Sequence, residues 1–325
     1  MNKKKDKVSI IIPIFKGGPF VKRCLDSIYN QDYDNFEVIC VSWALNDETR
    51  EIISKFKGVK LIEQKEKGVS AARNLGIDSV TGKFFMFVDC DDYIKKDYIS
   101  QYIKNMKDND ILVGNFDNVS EEGKLLHTYI FPDYTWSRFL NFFVWGRLYR
   151  TSFFKENNIR IKEDINYCED VLLNLYCYKK DAKIKFFDYV GYTWVWNNDS
   201  ATHSLYNVIS DRFDPVAFLE EATKQINDKY YEYYMYYLYR WSLWYMLSVG
   251  RNCTHKDYMK LYRRIDKFHK EHNIHLMFSP FSKKLKPERF FSRAVVFIYL
   301  ILQKLNMVGL FARIYCRGKN AKTKE

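Results

Sequence analysis

Short apolar runs recur along the first third of the chain. Each is followed by a stretch in which apolar residues return every three or four positions. Val8–Phe15 reads as a buried strand stopped by proline. After the turn Lys16-Gly17-Gly18-Pro19, the apolar positions 20, 21, 24, 25 and 28 have helical spacing with proline at the start. Phe36–Val41 predicts a second strand, Glu48–Phe56 a helix, Val59–Ile62 a third strand and Gly68–Val80 a further helix. Residues 83–88 form a fourth strand with five apolar residues in six, the pattern of a strand covered on both faces. A helix over 95–107 and a strand over 110–116 follow. This alternation predicts an α/β fold with a Rossmann-like, mostly parallel sheet.

Beyond residue 118 the pattern is mixed. Thr135–Phe143 reads as helix, Trp145–Tyr149 as extended and Tyr167–Lys180 as helix. Ile184–Phe187 and Tyr189–Trp196 read as two strands. From about residue 206 the chain is helical and aromatic, with helices near 208–227, 230–250, 255–272 and 288–308. Two domains are expected: 1–205, with a nucleotide half over about 1–118 and an acceptor half over about 119–205, and a helical region over 206–325. The tyrosines of 230–245 suit core or interface packing.

Composition sharpens the picture at three points. At 47% hydrophobic the 325-residue chain can bury a core and is not disordered by composition. Seven scattered cysteines without a CxxC pair, and an N-terminus without a signal-peptide pattern, suggest reduced thiols in a cytoplasmic protein. The net charge of +12 resides wholly in residues 256–325, which hold 17 Lys/Arg against 5 Asp/Glu.

The fourth strand ends in Asp89-Cys90-Asp91-Asp92. Acids at the carboxyl edge of an open α/β sheet stand where ligands bind. Held this close they repel one another unless a cation such as Mg2+ or Mn2+ lies between them. The other reading is an exposed acidic turn that caps the next helix. Glu169 and Asp170, in the first turn of a predicted helix, are likewise either a general base with its neighbour or acids that suit the helix dipole.

Several segments, in order, carry a resemblance. They are Val8–Phe15; Cys24-Leu25-Asp26-Ser27-Ile28-Tyr29-Asn30-Gln31; Gly68-Val69-Ser70-Ala71-Ala72-Arg73-Asn74-Leu75-Gly76; Asp89-Cys90-Asp91; Val144-Trp145-Gly146-Arg147; and Cys168-Glu169-Asp170. Together they resemble the family 2 glycosyltransferases of the GT-A fold over about residues 7–205. The resemblance implies an inverting, metal-dependent transfer of a sugar from a nucleotide-sugar donor, UDP-linked in most such enzymes. The acceptor would be a glycan or lipid-linked hydroxyl in bacterial surface polysaccharide synthesis. It implies Asp170 as base with Glu169 beside it, and Asp91 and Asp89 at the metal. His203 would be a third metal ligand. Pro13, Phe15 and Arg73 would lie at the donor, and Trp145 would wall the acceptor site or pack in the core.

One stretch departs from the family's pattern. Where the family has Asp-Asp-Gly-Ser-x-Asp, this chain has Ser42-Trp43-Ala44-Leu45-Asn46-Asp47. The acid that reads uracil is missing, and Trp43 is left as a stacking candidate. The departure keeps a second function open, a GT-A protein that binds a partner transferase without turnover. For the basic tail, residues 280–325, the expectation is peripheral attachment to the inner face of the cell membrane. Packing on its own domain or in a homo-oligomer is the alternative. Nucleic acid is not an expected partner.

Overall fold

The computed structural model describes residues 5–318 apart from 16, 66, 166, 198–208 and 210–212. The chain forms two compact units, Met1–Tyr134 with Asn141–Asn197, and Thr135–Leu140 with Asn198–Glu325. Residues 135–140, expected in the first domain, thus group with the second unit.

The first unit is built on one sheet. Its strands are β1 (Val8–Phe15), β2 (Phe36–Trp43), β3 (Val59–Glu63), β4 (Phe84–Phe87), β5 (Tyr93–Ile94), β6 (Ile111–Val119), β7 (Leu125–Tyr129), β8 (Arg147–Arg150) and β9 (Ile184–Val195). Their order is β3-β2-β1-β4-β8-β6-β9-β5, with β7 beside β6. Strands β1 to β4 are mutually parallel, and β8 is antiparallel to both β4 and β6. The mixed, mostly parallel sheet is the one the alternating pattern predicts.

The helices of this unit are α1 (Pro19–Tyr29), α2 (Asp47–Ser54), α3 (Val69–Ser79), α4 (Tyr98–Met106), α5 (Thr151–Glu156) and α6 (Glu169–Lys179). Helix α1 buries Val21, Cys24, Leu25 and Ile28, the apolar stripe read from the sequence. The Asn46 side chain accepts from the Thr49 N–H at 2.9 Å and caps α2. Helix α3 lies so close to β1 that a Cβ on Gly76 would stand 2.3 Å from Ile11 Cγ2. Ile10, Ile11 and Ile12 of β1 are fully buried, each worth about 1.5–3 kcal/mol relative to exposure.

Strand β1 has the bounds expected, Val8–Phe15, with Pro13 inside it. The Ile11 carbonyl faces β4, where it accepts from the Val88 N–H, so the backbone of Pro13, two residues on, faces the same side. Strand β4 has already ended there, and the missing proline N–H removes no ladder bond. The two strands expected over 184–196 are one, because β9 continues through Asp188 with register shifts opposite Val113–Phe116 of β6. Thr135–Phe139 is a short 3-10 turn in place of the longer helix expected.

The second unit contains α7 (Pro215–Thr223), α8 (Tyr231–Gly250), α9 (His255–Glu271), α10 (Phe290–Lys304) and α11 (Val308–Tyr315). Tyr234, Tyr236, Tyr237, Tyr239 and Tyr245 of α8 are buried, so packing accounts for the tyrosine run. A buried carboxylate, Glu288, is held by Arg240 at 2.5 Å and by the Trp136 indole N–H at 3.0 Å. Among the described residues no helix is long and apolar enough to cross a membrane. All seven cysteines are free.

Candidate active site

Strand β4 ends at Phe87, and the chain turns through Val88–Asp92 at the carboxyl edge of β1 and β2. The three acids of this turn are held differently. Asp92 is 1% exposed. Its carboxylate accepts from the Tyr192 hydroxyl at 2.6 Å and the Val195 N–H at 2.8 Å. It therefore clamps the turn to β9, and burial drives its pKa well up. Asp91 is half-buried, and Arg23 donates to its backbone carbonyl at 2.5 Å. Among the described residues no Lys or Arg side chain pairs with the Asp91 carboxylate. Desolvation, and then the charge of Asp89, push it up to about 6. Asp89 receives Arg73 Nη2 at 3.1 Å, and its own N–H donates to the Tyr192 hydroxyl at 3.1 Å.

Arg73 links this turn to the second acidic pair. It projects from α3, is 6% exposed, and donates through Nη1 to Glu169 at 3.1 Å. One guanidinium thus bridges Asp89 and Glu169, two acids far apart in sequence. The site brings Arg73, Asp89, Glu169 and Asp170 together, with Asp91 beside Asp89. The forks of Arg73 are occupied by protein carboxylates rather than left open.

Asp170 follows Glu169 at the N-terminus of α6, after Cys168 in a left-handed conformation at φ 62°. Its carboxylate accepts from the Val171 N–H at 2.7 Å. Desolvation, and then Glu169, push Asp170 up to about 7, against the pull of the Val171 N–H, Arg73 and Arg147. Arg147 is a site residue that sequence reasoning missed. It is fully buried and donates to Asn174 Oδ1 and to the Asn141 carbonyl, each at 2.5 Å. Asn174 in turn donates to the Asp170 carbonyl at 2.7 Å, so a buried cation braces the helix that carries the acids. The available signal was an arginine inside the apolar run Val144–Tyr149. Tyr192, also missed, gave no comparable signal.

At the far ends of β1 and β2, Phe15 and Trp43 are register partners. Their rings stack 5.2 Å apart at 11°, and the Lys67 ammonium stands 5.0 Å from Phe15 and 6.0 Å from Trp43. Phe15 is 48% exposed, so this is an open aromatic platform. Pro13 is buried beneath it. Trp145 is 6% exposed, stacked between Phe143 at 4.3 Å and Tyr192 at 4.5 Å. The structure places Trp145 in the core under the acidic turn, and it meets the site through Tyr192 rather than as an open wall. His203 lies outside the described residues, as does Lys16.

Among the described residues no group of three His, Cys, Asp or Glu side chains is arranged to hold a metal. The donor set still suits a hard divalent ion. Mg2+ is commonly held by one or two carboxylates with substrate phosphates and water supplying the rest. Among the described residues no Lys or Arg forms an ion pair with the Asp91 carboxylate, and Asp89 beside it could add a second oxygen ligand.

The chain is similar to known proteins in sequence and in fold. Residues 9–165 match the family described as Glycosyl transferase family 2. Glycosyltransferase GlyA of Streptococcus pneumoniae serotype 4 is 28% identical over 247 residues, 65% of this chain and 35% of that protein. The uncharacterized glycosyltransferase EpsJ of Bacillus subtilis is 29% identical over 63% of this chain and 65% of its own length. The chain therefore spans about a third of one relative and just under two thirds of the other. A crystal structure of S. aureus TarS residues 1–349 with UDP-GlcNAc has TM-score 0.63 and 20% identity, covering 91% of this chain and 92% of that one. The shared fold is GT-A, with a mostly parallel central sheet and C-terminal helices.

Proposed function

Residues 9–165 are a glycosyl transferase family 2 domain, and from this premise we propose that the chain is an inverting transferase that uses a UDP-sugar. Its acceptor is a hydroxyl on a glycan or lipid-linked carrier in bacterial surface polysaccharide synthesis. The observation that carries this reading is the Arg73 bridge. It sets the acids at the end of β4 beside those at the start of α6, so donor and base face one site. The donor class is supported by TarS structures that contain UDP and UDP-GlcNAc. The acceptor class is supported by similarity to a poly(ribitol-phosphate) beta-glucosyltransferase of Bacillus spizizenii, 28% identical over 64% of this chain and 35% of that protein.

In this mechanism the acceptor hydroxyl attacks the anomeric carbon opposite the diphosphate. The new C–O bond forms as the C–O bond to phosphate breaks, and the electron pair leaves with the nucleoside diphosphate. Asp170 takes the hydroxyl proton. Its carboxylate, pushed up to about 7, is basic enough to accept a proton and still largely ionised above neutrality. Direct displacement with a base and no covalent partner inverts the anomeric centre. A Mg2+ or Mn2+ ion bound at Asp91 and Asp89 would offset the charge on the diphosphate. Asp89, steadied by Arg73, would reach the ribose or a metal-bound water.

Asp170→Asn tests the assignment. UDP release from a UDP-sugar panel should fall by at least ~100-fold, with UDP affinity by calorimetry nearly unchanged. Wild-type turnover should rise with pH through about 7, as Asp170 loses its proton. Unchanged turnover in the variant removes Asp170 from the mechanism. Trp43, in place of the base-reading acid, favours a second reading, a non-catalytic partner of another transferase. Nucleotide binding without UDP release from any donor would support it.

A further inference from the structure

Helix α10 is amphipathic in the reverse sense. Its inward side holds Val296 and Tyr299, both buried, and Gln303, which accepts from Tyr239. Its outward side is apolar. Phe290, Phe291, Phe297, Ile298, Ile301 and Leu305 are each between 38% and 73% exposed. At ~100° per residue they occupy one arc of about 120°, which contains no charged residue. Phe281 extends the patch, with ring centroids 5.6 Å from Phe290 and 5.4 Å from Phe297. On α11, Leu310 and Ile314 are 52% and 75% exposed. A solvated helix normally turns its polar face outward, so this face is built for an apolar medium.

The charge around the patch indicates what that medium is. From Arg289 to Gly318 the chain has five Lys/Arg and no Asp/Glu. Arg289, Arg293 and Lys304 lie along one edge of the apolar arc, within about 60° of one another. Arg293 is fixed there by the carbonyls of Pro280 at 2.6 Å and Ser282 at 2.9 Å. A second copy docked by the same face would set these cations against their own kind. The helix is also too short to span: 15 residues reach ~22 Å, against a hydrocarbon core of ~30 Å. Apolar residues flanked by bases on a short helix match an anionic lipid surface.

We propose that α10 lies in the plane of an anionic membrane surface, with Phe290, Phe291 and Ile298 inserted and Arg289 and Lys304 at the headgroups. The assay is co-sedimentation of the full chain with phosphatidylcholine vesicles, with and without phosphatidylglycerol. It reads partition and is independent of sugar transfer. Because Val296 and Tyr299 are buried, deleting the helix would open its unit, so exposed positions are substituted instead. Wild type should bind the anionic vesicles, and raised salt should weaken binding ~10-fold or more. Phe291→Glu with Ile298→Glu should lower partition roughly 100-fold at unchanged melting temperature. Arg289→Gln with Lys304→Gln should lower it about 10-fold on anionic vesicles only. Equal binding by variants and wild type, binding indifferent to phosphatidylglycerol, or no binding at all overturns the proposal. Self-association abolished by the Glu pair, without vesicle binding, assigns the face to a second copy.

Discussion

Trp43 and Phe15 lie face to face at the open end of β1 and β2, with Lys67 above them. The turn that follows holds Ala44 at φ 55°, a left-handed conformation that glycine tolerates better, at the position where the family's pattern has glycine. The backbone path is thus kept while the side chains of the base end are changed. A stacked base contributes about 1–3 kcal/mol. Trp43→Ala should therefore weaken UDP binding ~10-fold or more by calorimetry, with little change in melting temperature. Affinity equal to wild type would remove the platform from the donor site. At this scale Asp89 and Asp91 stood out as acids at the end of an apolar run, and Glu169 and Asp170 were singled out by the family resemblance. Arg147 and Tyr192 were not, because their importance depends on partners distant in sequence: the Tyr192 hydroxyl reaches Asp92 across 100 residues.

Among elements, α8 and α9 show how a buried ring sets a pH limit. His269 of α9 is 8% exposed, and its Nε2 lies 2.9 Å from the Ser242 hydroxyl of α8. Desolvation lowers its pKa to about 4, with Asp266 opposing. The folded form then holds fewer protons than the unfolded form between pH 6.5 and about 4. Stability is complete above 6.5 and falls as pH drops through that window, by about 3 kcal/mol in all. Urea melts across this range should show the loss, and His269→Gln should flatten it. Helix periodicity made α1 readable from spacing alone. Strand β9 was misread as two because its middle residues, Asp188 and Tyr189, have no apolar alternation, and pairing with β6 carries the strand through. The two-residue β5 carries no pattern at all, since it exists only by pairing with β9.

For the molecule as a whole, fold class was legible because strand–helix alternation and ordered motifs survive without knowledge of contacts. The limits of the compact units were less so: Thr135–Leu140 joins the second unit through packing that no local pattern announces. A donor that binds only the folded chain must stabilise it. UDP with Mn2+ at about 100 times its Kd should add about 2.7 kcal/mol, a rise of several degrees in the transition of the first unit. Chelation with EDTA should reverse the gain, and Asp91→Asn should not show it. An equal shift with UDP alone would mean that no metal acts at Asp91.

The bridge between Asp89 and Glu169 also bears on inheritance. A lineage that lost the guanidinium at Arg73 would leave two half-buried acids facing each other. One that lost either acid would leave a buried cation short of a counterion, and such unpaired charges cost several kcal/mol. Single steps away from the trio are therefore costly even where catalysis is no longer selected. Descendants that have abandoned the chemistry should keep 73, 89 and 169 or change them together.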